Sequence, residues 1–188
     1  GLDLTLDLQY RGIAYQFLGV DQVSGVLTDV TQNVNYHFFN PKVSFAKKMG
    51  AHNLFGSFGI ANREPVRRDF RESTPANRPL SERMFDTEFA YRFEKDKLNI
   101  QTNLFLMYYQ NQLVLTGQIN DVGGYTRTNV DKSYRTGLEM EFAYQFLSKL
   151  RFQAATSLSQ NKVLNFVEFV DVYLDDAPYY TQIQIEHG

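Results

Sequence analysis

Apolar and polar residues alternate along most of this chain. In residues 2–10, Leu2, Leu4, Leu6, Leu8 and Tyr10 interleave with Asp3, Thr5, Asp7 and Gln9. A period of two belongs to a β-strand with one apolar face and one wet face. The pattern returns at Phe85, Phe89, Tyr91 and Phe93 against Asp86, Glu88, Arg92 and Glu94. It returns again at Leu98, Ile100, Leu104, Leu106 and Tyr108, with Thr102 out of pattern, against Asn99, Gln101 and Asn103. The longest run is Tyr134, Thr136, Leu138, Met140, Phe142, Tyr144 and Phe146, facing Arg135, Gly137, Glu139, Glu141, Ala143 and Gln145. Leu150, Phe152, Ala154 and Leu158 then oppose Arg151, Gln153, Ser157 and Ser159. No comparable stretch has a period of 3.6. Prolines 41, 65, 75, 79 and 178 fall at strand ends or in loops. The alternation predicts seven strands in up-and-down order, at roughly 2–18, 37–48, 53–62, 83–94, 97–116, 131–147 and 150–165.

The connections sort into two classes. Short turns fall near Met49–Asn53, Glu94–Lys97 and Leu147–Lys149. Long ones fall near Val20–Tyr36, Arg63–Glu82 and Gly117–Asp131, and a last one begins near Asn165. Long and short strictly alternate. Antiparallel neighbours put successive connections on opposite rims, so all short turns share one rim and all long loops the other. Short turns on one side and long loops on the other are the habit of outer-membrane β-barrels. The aromatics agree. Tyr91, Phe93, Tyr144, Phe146 and Phe152 lie beside the short turns, while Phe85, Tyr108 and Tyr134 lie toward the long loops. From Tyr134 to Phe146 is about 12 steps, or roughly 40 Å of strand. Tilted by about 45°, that is roughly 28 Å of height, close to the ~25 Å apolar band between two aromatic girdles. Carboxylates and guanidinium groups on the other face cannot line a dry core at tolerable cost, but they can line a wet or plugged lumen.

The predicted fold is therefore all-β: an antiparallel up-and-down transmembrane β-barrel segment of about seven or eight strands. Seven is odd, whereas single-chain bacterial barrels have even strand numbers. Residues 1–188 accordingly read as part of one larger barrel domain. The competing reading is a soluble β-sandwich with the aromatics as its core, serving as a binding module for glycan or protein.

Composition narrows the function. The 188 residues carry 19 Lys+Arg against 21 Asp+Glu, a formal charge of −2, which argues against nucleic acid as a partner. There is no Cys, which excludes disulfides, thiolate metal sites and a Cys nucleophile. No stretch approaches the roughly 20 apolar residues of a spanning helix. Aromatics reach 15% without any Trp, which suits many strands that are each apolar on one face.

A series of segments, taken in order, resembles the barrel region of a TonB-dependent outer-membrane receptor of the type common in Bacteroidetes. They are Phe38-Phe39-Asn40-Pro41-Lys42, Asn62-Arg63-Glu64-Pro65-Val66-Arg67-Arg68-Asp69-Phe70 and Arg78-Pro79-Leu80-Ser81-Glu82 before Phe89-Ala90-Tyr91. Asn103–Tyr109, Gln112–Gly117, Arg127-Thr128-Asn129-Val130, Ser133–Glu139 and Ser159-Gln160-Asn161-Lys162 follow. The order and spacing across about 40–165 carry the resemblance, with 1–18 fitting as an earlier strand and 166–188 adding little. It implies a 22-stranded barrel in the bacterial outer membrane, closed by an N-terminal plug domain that these residues do not include. It further implies binding and import of a scarce nutrient, often a ferric siderophore or similar iron complex. The energy would come from the TonB system through the plug. The partners implied are outer-membrane lipid, that small-molecule ligand and TonB, with no cofactor.

Candidate ligand-binding residues cluster in the predicted long loops. Between positions 63 and 83 lie six arginines (63, 67, 68, 71, 78, 83) and no Lys. A guanidinium is a planar fork of donors suited to carboxylate or catecholate-type oxygens. Arg67, Arg68 and Arg71 are the ligand candidates, with Tyr125 and Arg127 converging from the next loop. The competing explanation is that the arginines pair with Glu64, Asp69, Glu72 and Glu82 to order their own loop. The run Asp171–Asp176 lacks the graded ligand spacing of a calcium loop. His37, His52 and His187 are scattered, so no metal site is expected. Glu139 and Glu141 share one face, but as lumen carboxylates rather than an acid–base pair. Gly123-Gly124 reads as a turn, not a phosphate cradle. No nucleophile elbow occurs, so no enzyme is expected.

The rim assignment predicts that an epitope tag at Ala76 is reachable on intact cells and one at Asp96 is not. Surface labelling at Asp96 alone would invert the topology.

Overall fold

The computed structural model describes residues 1–23, 25–71, 78–119, 125–173 and 180–187. Seven strands form one antiparallel sheet. They are β1 (Leu2–Phe17), β4 (Gln32–Met49), β5 (His52–Arg63), β6 (Glu82–Lys95), β7 (Leu98–Ile119), β8 (Tyr125–Leu147) and β9 (Leu150–Leu164), each paired with the next in that order. Two hairpins are inserted: β2 (Val20–Val23) with β3 (Val26–Asp29), and β10 (Phe166–Tyr173) with β11 (Tyr180–His187). A single helical turn, α1 (Arg67–Arg71), lies between β5 and β6.

The seven expected strands are all present. The hairpins, α1 and the long-loop ends of β4, β7 and β8 are not what the alternation predicts: β4 begins at Gln32 rather than near 37, β7 ends at Ile119 rather than near 116, and β8 begins at Tyr125 rather than near 131. Residues 166–173 and 180–187, expected to add little, pair in full register from Phe166↔His187 to Tyr173↔Tyr180. The loop expected at 117–131 is mostly strand. β7 runs 22 residues and β8 runs 23, so they pair well beyond their neighbours as a projecting arm. Ala76 and Gly123-Gly124 lie outside the described residues. So do Leu174, Asp175 and Asp176, while Asp171–Tyr173 belong to β10.

Three turns of two residues join β4 to β5, β6 to β7 and β8 to β9, all on one rim. Two-residue hairpins favour a positive φ in the turn. Gly50 supplies it at 61° and Asp96 at 50°.

Direct partners in an antiparallel ladder share a face, so register sorts every side chain. One cross-strand row is Ile60, Phe85, Tyr108, Tyr134 and Lys162. Below it come Gly56, Phe89, Leu104, Leu138 and Leu158, then His52, Phe93, Ile100, Phe142 and Ala154. This face is apolar, with aromatic rows at two heights as expected, and no protein covers it: Leu4 is 72% and Leu158 67% exposed. The opposite face holds Glu88 beside Phe105, Arg92 beside Gln101, Gln101 beside Glu141 and Asn103 beside Glu139. On that polar face Phe105 lies across Gly137, where a Cβ would come within 2.6 Å of the ring.

The few buried apolar side chains sit elsewhere, at the long-loop end. They include Val30, Val34, Phe38, Phe70, Leu113 and Val130. The sheet thus presents two open faces of opposite polarity, and its compact packing is confined to one rim.

The register gives a direct test in the intact barrel. Leu138→Arg is expected to destabilise folding by about 2–4 kcal/mol, since Leu138 lies mid-way between the aromatic rows. Glu139→Arg, one residue away on the polar face, should cost far less. Urea titration of the two variants in lipid vesicles measures both, and equal penalties would refute the register.

Candidate functional site

The polar character of one face does not persist to the long-loop rim. On β1 that face begins as Asp3, Thr5, Asp7 and Gln9, then becomes Ile13, Tyr15 and Phe17. On β4 their partners are Tyr36, Val34 and Gln32. This creates an apolar patch where the sheet needs a cover, and the segment after β5 supplies it. Phe70 of α1 is fully buried, with its ring centroid 5.0 Å from Phe17 and 5.8 Å from Tyr15. The amide of Gln32 reaches the Phe70 carbonyl at 3.4 Å. The 64–71 segment therefore folds inward over the polar-face side of β1 and β4 instead of extending away.

The local sequence explains why this turn is helical. Pro65 precedes it and is fully buried. Asp69 accepts the Val66 amide at 2.9 Å while its own amide donates to the Val66 carbonyl at 2.9 Å. A carboxylate at the third helical position reaching back to the cap is one half of a capping box.

Its flanks are tied down by pairs. Arg11 bonds Glu64, and its guanidinium lies 5.3 Å from the centroid of the Phe38 ring. Arg63 donates to Glu82 at 2.8 Å, and the nearly buried Glu82 also accepts the Leu113 amide at 2.7 Å. Arg78 donates to Gln32 at 3.0 Å, and Arg83 to Asn62 at 3.0 Å. The Asn129 side chain accepts the Leu80 amide at 2.8 Å and donates to the carbonyls of Leu80 at 3.1 Å and Asn111 at 2.6 Å. In this way β8 grips the far end of the loop as an additional strand would. In the preceding long connection, between β1 and β4, Asp29 accepts the Thr31 amide at 2.9 Å, and the Thr31 hydroxyl accepts the Gly19 amide at 3.1 Å. The Thr31 hydrogen bonds, side chain first and then backbone, hold the Asp29 carboxyl below its usual value.

The arginines therefore divide. Arg63 pairs with Glu82, one of the acids the competing explanation names, whereas Arg78 and Arg83 bond Gln32 and Asn62, which it does not. Arg67 and Arg68 are exposed and make no hydrogen bond or ion pair with another described residue. Arg67 lines a pocket of about 460 Å³ with Tyr15, Phe17, Phe70, Gln32 and Asp21. Arg71 closes α1, and its side chain lies outside the description, as does that of Tyr125.

The placement of Tyr125 and Arg127 in a loop is incorrect. Both belong to β8, where Tyr125 pairs with Ile119 and the half-buried Arg127 with Leu115. The glycine taken as the loop start, Gly117, instead marks a register shift with φ of 80°. It leaves room for β10, whose Phe169 carbonyl lies only 2.1 Å from where a Cβ would stand. Gln182 of β11 donates to the Gly117 carbonyl at 3.1 Å. Arg127 makes no hydrogen bond or ion pair with α1 among the described residues; Asn129, two residues along, instead ties β8 to Leu80 at the far end of the loop. Asn129 and the Tyr15/Phe17 wall were not singled out from sequence. The shift to apolar residues on the odd positions from Ile13 onward was the available signal.

A second pocket of about 460 Å³ lies on the polar face near the short turns, with Arg92, Gln101, Glu141 and Arg151 in its walls. No group of three or more His, Cys, Asp or Glu suited to a metal ion occurs among the described residues.

Residues 1–182 match the family described as TonB dependent receptor-like, beta-barrel. The chain belongs to this family. No curated protein matches it. Among solved structures, the copper transporter OprC superposes with a TM-score of 0.75 at 14% identity, over 86% of this chain and 27% of that one. The FrpB iron transporter from Neisseria meningitidis (F3-3 variant) superposes at 0.64 with 16% identity, over 87% and 24%. The chain thus spans about a quarter of the length of these relatives. At such identities the likeness concerns the fold, and it excludes the sandwich: the open apolar face is a barrel exterior and the polar face a barrel interior.

Asn129→Ala in the intact barrel is expected to free the end of the arginine loop. Loss of about 1–2 kcal/mol of local stability should speed amide exchange at Leu80, while Leu104 exchanges as before. Unchanged exchange at Leu80 would show that the clamp is dispensable.

Proposed function

We propose that this chain forms a ligand-admitting sector of a TonB-dependent outer-membrane receptor, with its long loops outside the cell and its short turns in the periplasm. The receptor imports a scarce nutrient, with a ferric siderophore or similar iron complex as first choice, driven by TonB through a plug domain seated against the polar face. The observation that carries this reading is α1. It is a capped and clamped turn, anchored by the buried Phe70, that holds Arg67 beside an aromatic wall at the long-loop rim, with Arg67 and Arg68 free of ion pairs among the described residues. Fixing the backbone beforehand reduces the ordering cost of binding. Arg67 beside Tyr15 and Phe17 suits a flat, oxygen-rich anion, which can lie on the rings while its oxygens accept from the guanidinium. The structural neighbours, a copper transporter and an iron transporter, support a metal-containing cargo.

Replacing Arg67, Arg68 and Arg71 together with Gln in the intact receptor is expected to weaken ligand binding at least about tenfold, given charge-assisted contacts of about 1.5–3 kcal/mol each. Binding and uptake of ferric catecholate and ferric citrate, measured at two ionic strengths, check this. A loss that shrinks at high salt indicates steering, and a loss that persists indicates contact. Heat-modifiable gel migration should stay native. Unchanged affinity in the folded triple variant would mean that these arginines only shape their own loop.

A further inference from the structure

The apolar face carries a charge pattern that ligand uptake does not explain. Register places every paired Asp and Glu of the seven-stranded ladder on the opposite face: Asp3, Asp7, Glu82, Asp86, Glu88, Glu94, Glu139 and Glu141. Up to the Gln110–Lys132 pair, the apolar face has no carboxylate. Its Lys and Arg residues fall only at the two ends: Lys47 and Lys95 by the short turns, and Arg83, Lys132 and Lys162 by the long loops.

The second group is the closer knit. Arg83 pairs with Gln110 and Gln110 with Lys132, so Arg83 and Lys132 stand two strands apart, about 10 Å. Lys162 pairs with Tyr134, one diagonal step from Lys132, about 7–8 Å. All three are exposed. Arg83 uses Nε on Asn62, and Lys132 and Lys162 have no carboxylate partner among the described residues. Directly below runs the row Phe85, Tyr108 and Tyr134. Long cationic side chains extend from an apolar surface to place their heads at the water boundary. Three of them stand along this edge, and none has a carboxylate partner among the described residues.

Resting on the membrane reading above, we propose that Arg83, Lys132 and Lys162 form a clamp for the phosphate of an anionic lipid in the outer leaflet. The acyl chains of that lipid lie along Phe85, Tyr108 and Tyr134. The aromatic row favours a lipid over free phosphate, because an isolated anion gains nothing from rings below the cations. Clustered cations at a bilayer surface each add attraction to anionic headgroups.

The test uses the intact receptor, purified in detergent and offered phosphatidic acid or phosphatidylcholine, with bound lipids counted by native mass spectrometry. Unmodified receptor is expected to retain phosphatidic acid preferentially, and inorganic phosphate should not displace it. Changing Arg83, Lys132 and Lys162 together to Gln should lower that preference about tenfold or more, with gel migration native. A second variant, with Lys132→Arg and Lys162→Arg, should keep the preference, which separates loss of charge from loss of fold. Undiminished preference in the folded Gln variant would overturn the clamp alone. Displacement by inorganic phosphate would overturn the lipid as its occupant. Failure of the unmodified receptor to retain any lipid would overturn the membrane reading together with the clamp.

Discussion

On the membrane reading proposed above, this sheet follows from the need to satisfy the backbone without water. A strand crossing hydrocarbon has nowhere to send its N–H and C=O groups except to its neighbours. That requirement makes the strands long, antiparallel and joined by the shortest turns on one rim. It also imposes the period of two, because a backbone held in a ladder must alternate its side chains between lipid and lumen. Leu138 and Glu139 differ in character for no other reason than their parity.

Where the strands emerge from that constraint, the rules change within a few residues. From Ile13 upward the lumen-side positions of β1 turn apolar, and a loop folds in to cover them. Water is again available to any stray polar group, so specific pairs take over from the ladder: Arg63 with Glu82, Arg78 with Gln32, Asn129 with Leu80. The structure spends its buried side chains here. Phe70 and Pro65 are enclosed, while Leu4 and Leu158 a strand-length below have no protein cover.

The sequence was legible where a single physical rule dominated. The alternation gave seven strands with their short-turn ends close to those observed, and the turn lengths gave the sorting of the two rims, but β4 and β8 begin about five and six residues earlier than it indicated. Legibility failed at the long-loop end. In Gln112–Gly117, Leu113 and Leu115 are apolar but so is Val114 between them, so the arm of β7 and β8 shows no clean alternation. Gly117 looked like the start of a loop, when its positive φ serves a register shift beneath β10. The helical turn at Arg67–Arg71 is too short for any periodicity to reveal. The arginine loop was visible as a cluster and Glu82 was visible as a partner within it, yet Gln32 and Asn62, which hold Arg78 and Arg83, are brought near by the fold. Arg67 and Arg68 have no ion-pair partner among the described residues, and Arg127 is a strand residue.

The confinement of carboxylates to one face has a consequence for how such a barrel is assembled. A hairpin that pairs one residue out of step still forms a full set of backbone hydrogen bonds, so the ladder itself cannot reject the mistake. In this chain a slip of one on β8 would turn Glu139 and Glu141 outward, and on β6 it would turn out Asp86, Glu88 and Glu94. Each would meet hydrocarbon during insertion, while the misplaced Leu, Phe and Tyr residues would face water. On the membrane reading, a hairpin slipped by one would have to bury these carboxylates in hydrocarbon, so the charge pattern disfavours the wrong register where the hydrogen bonds alone do not.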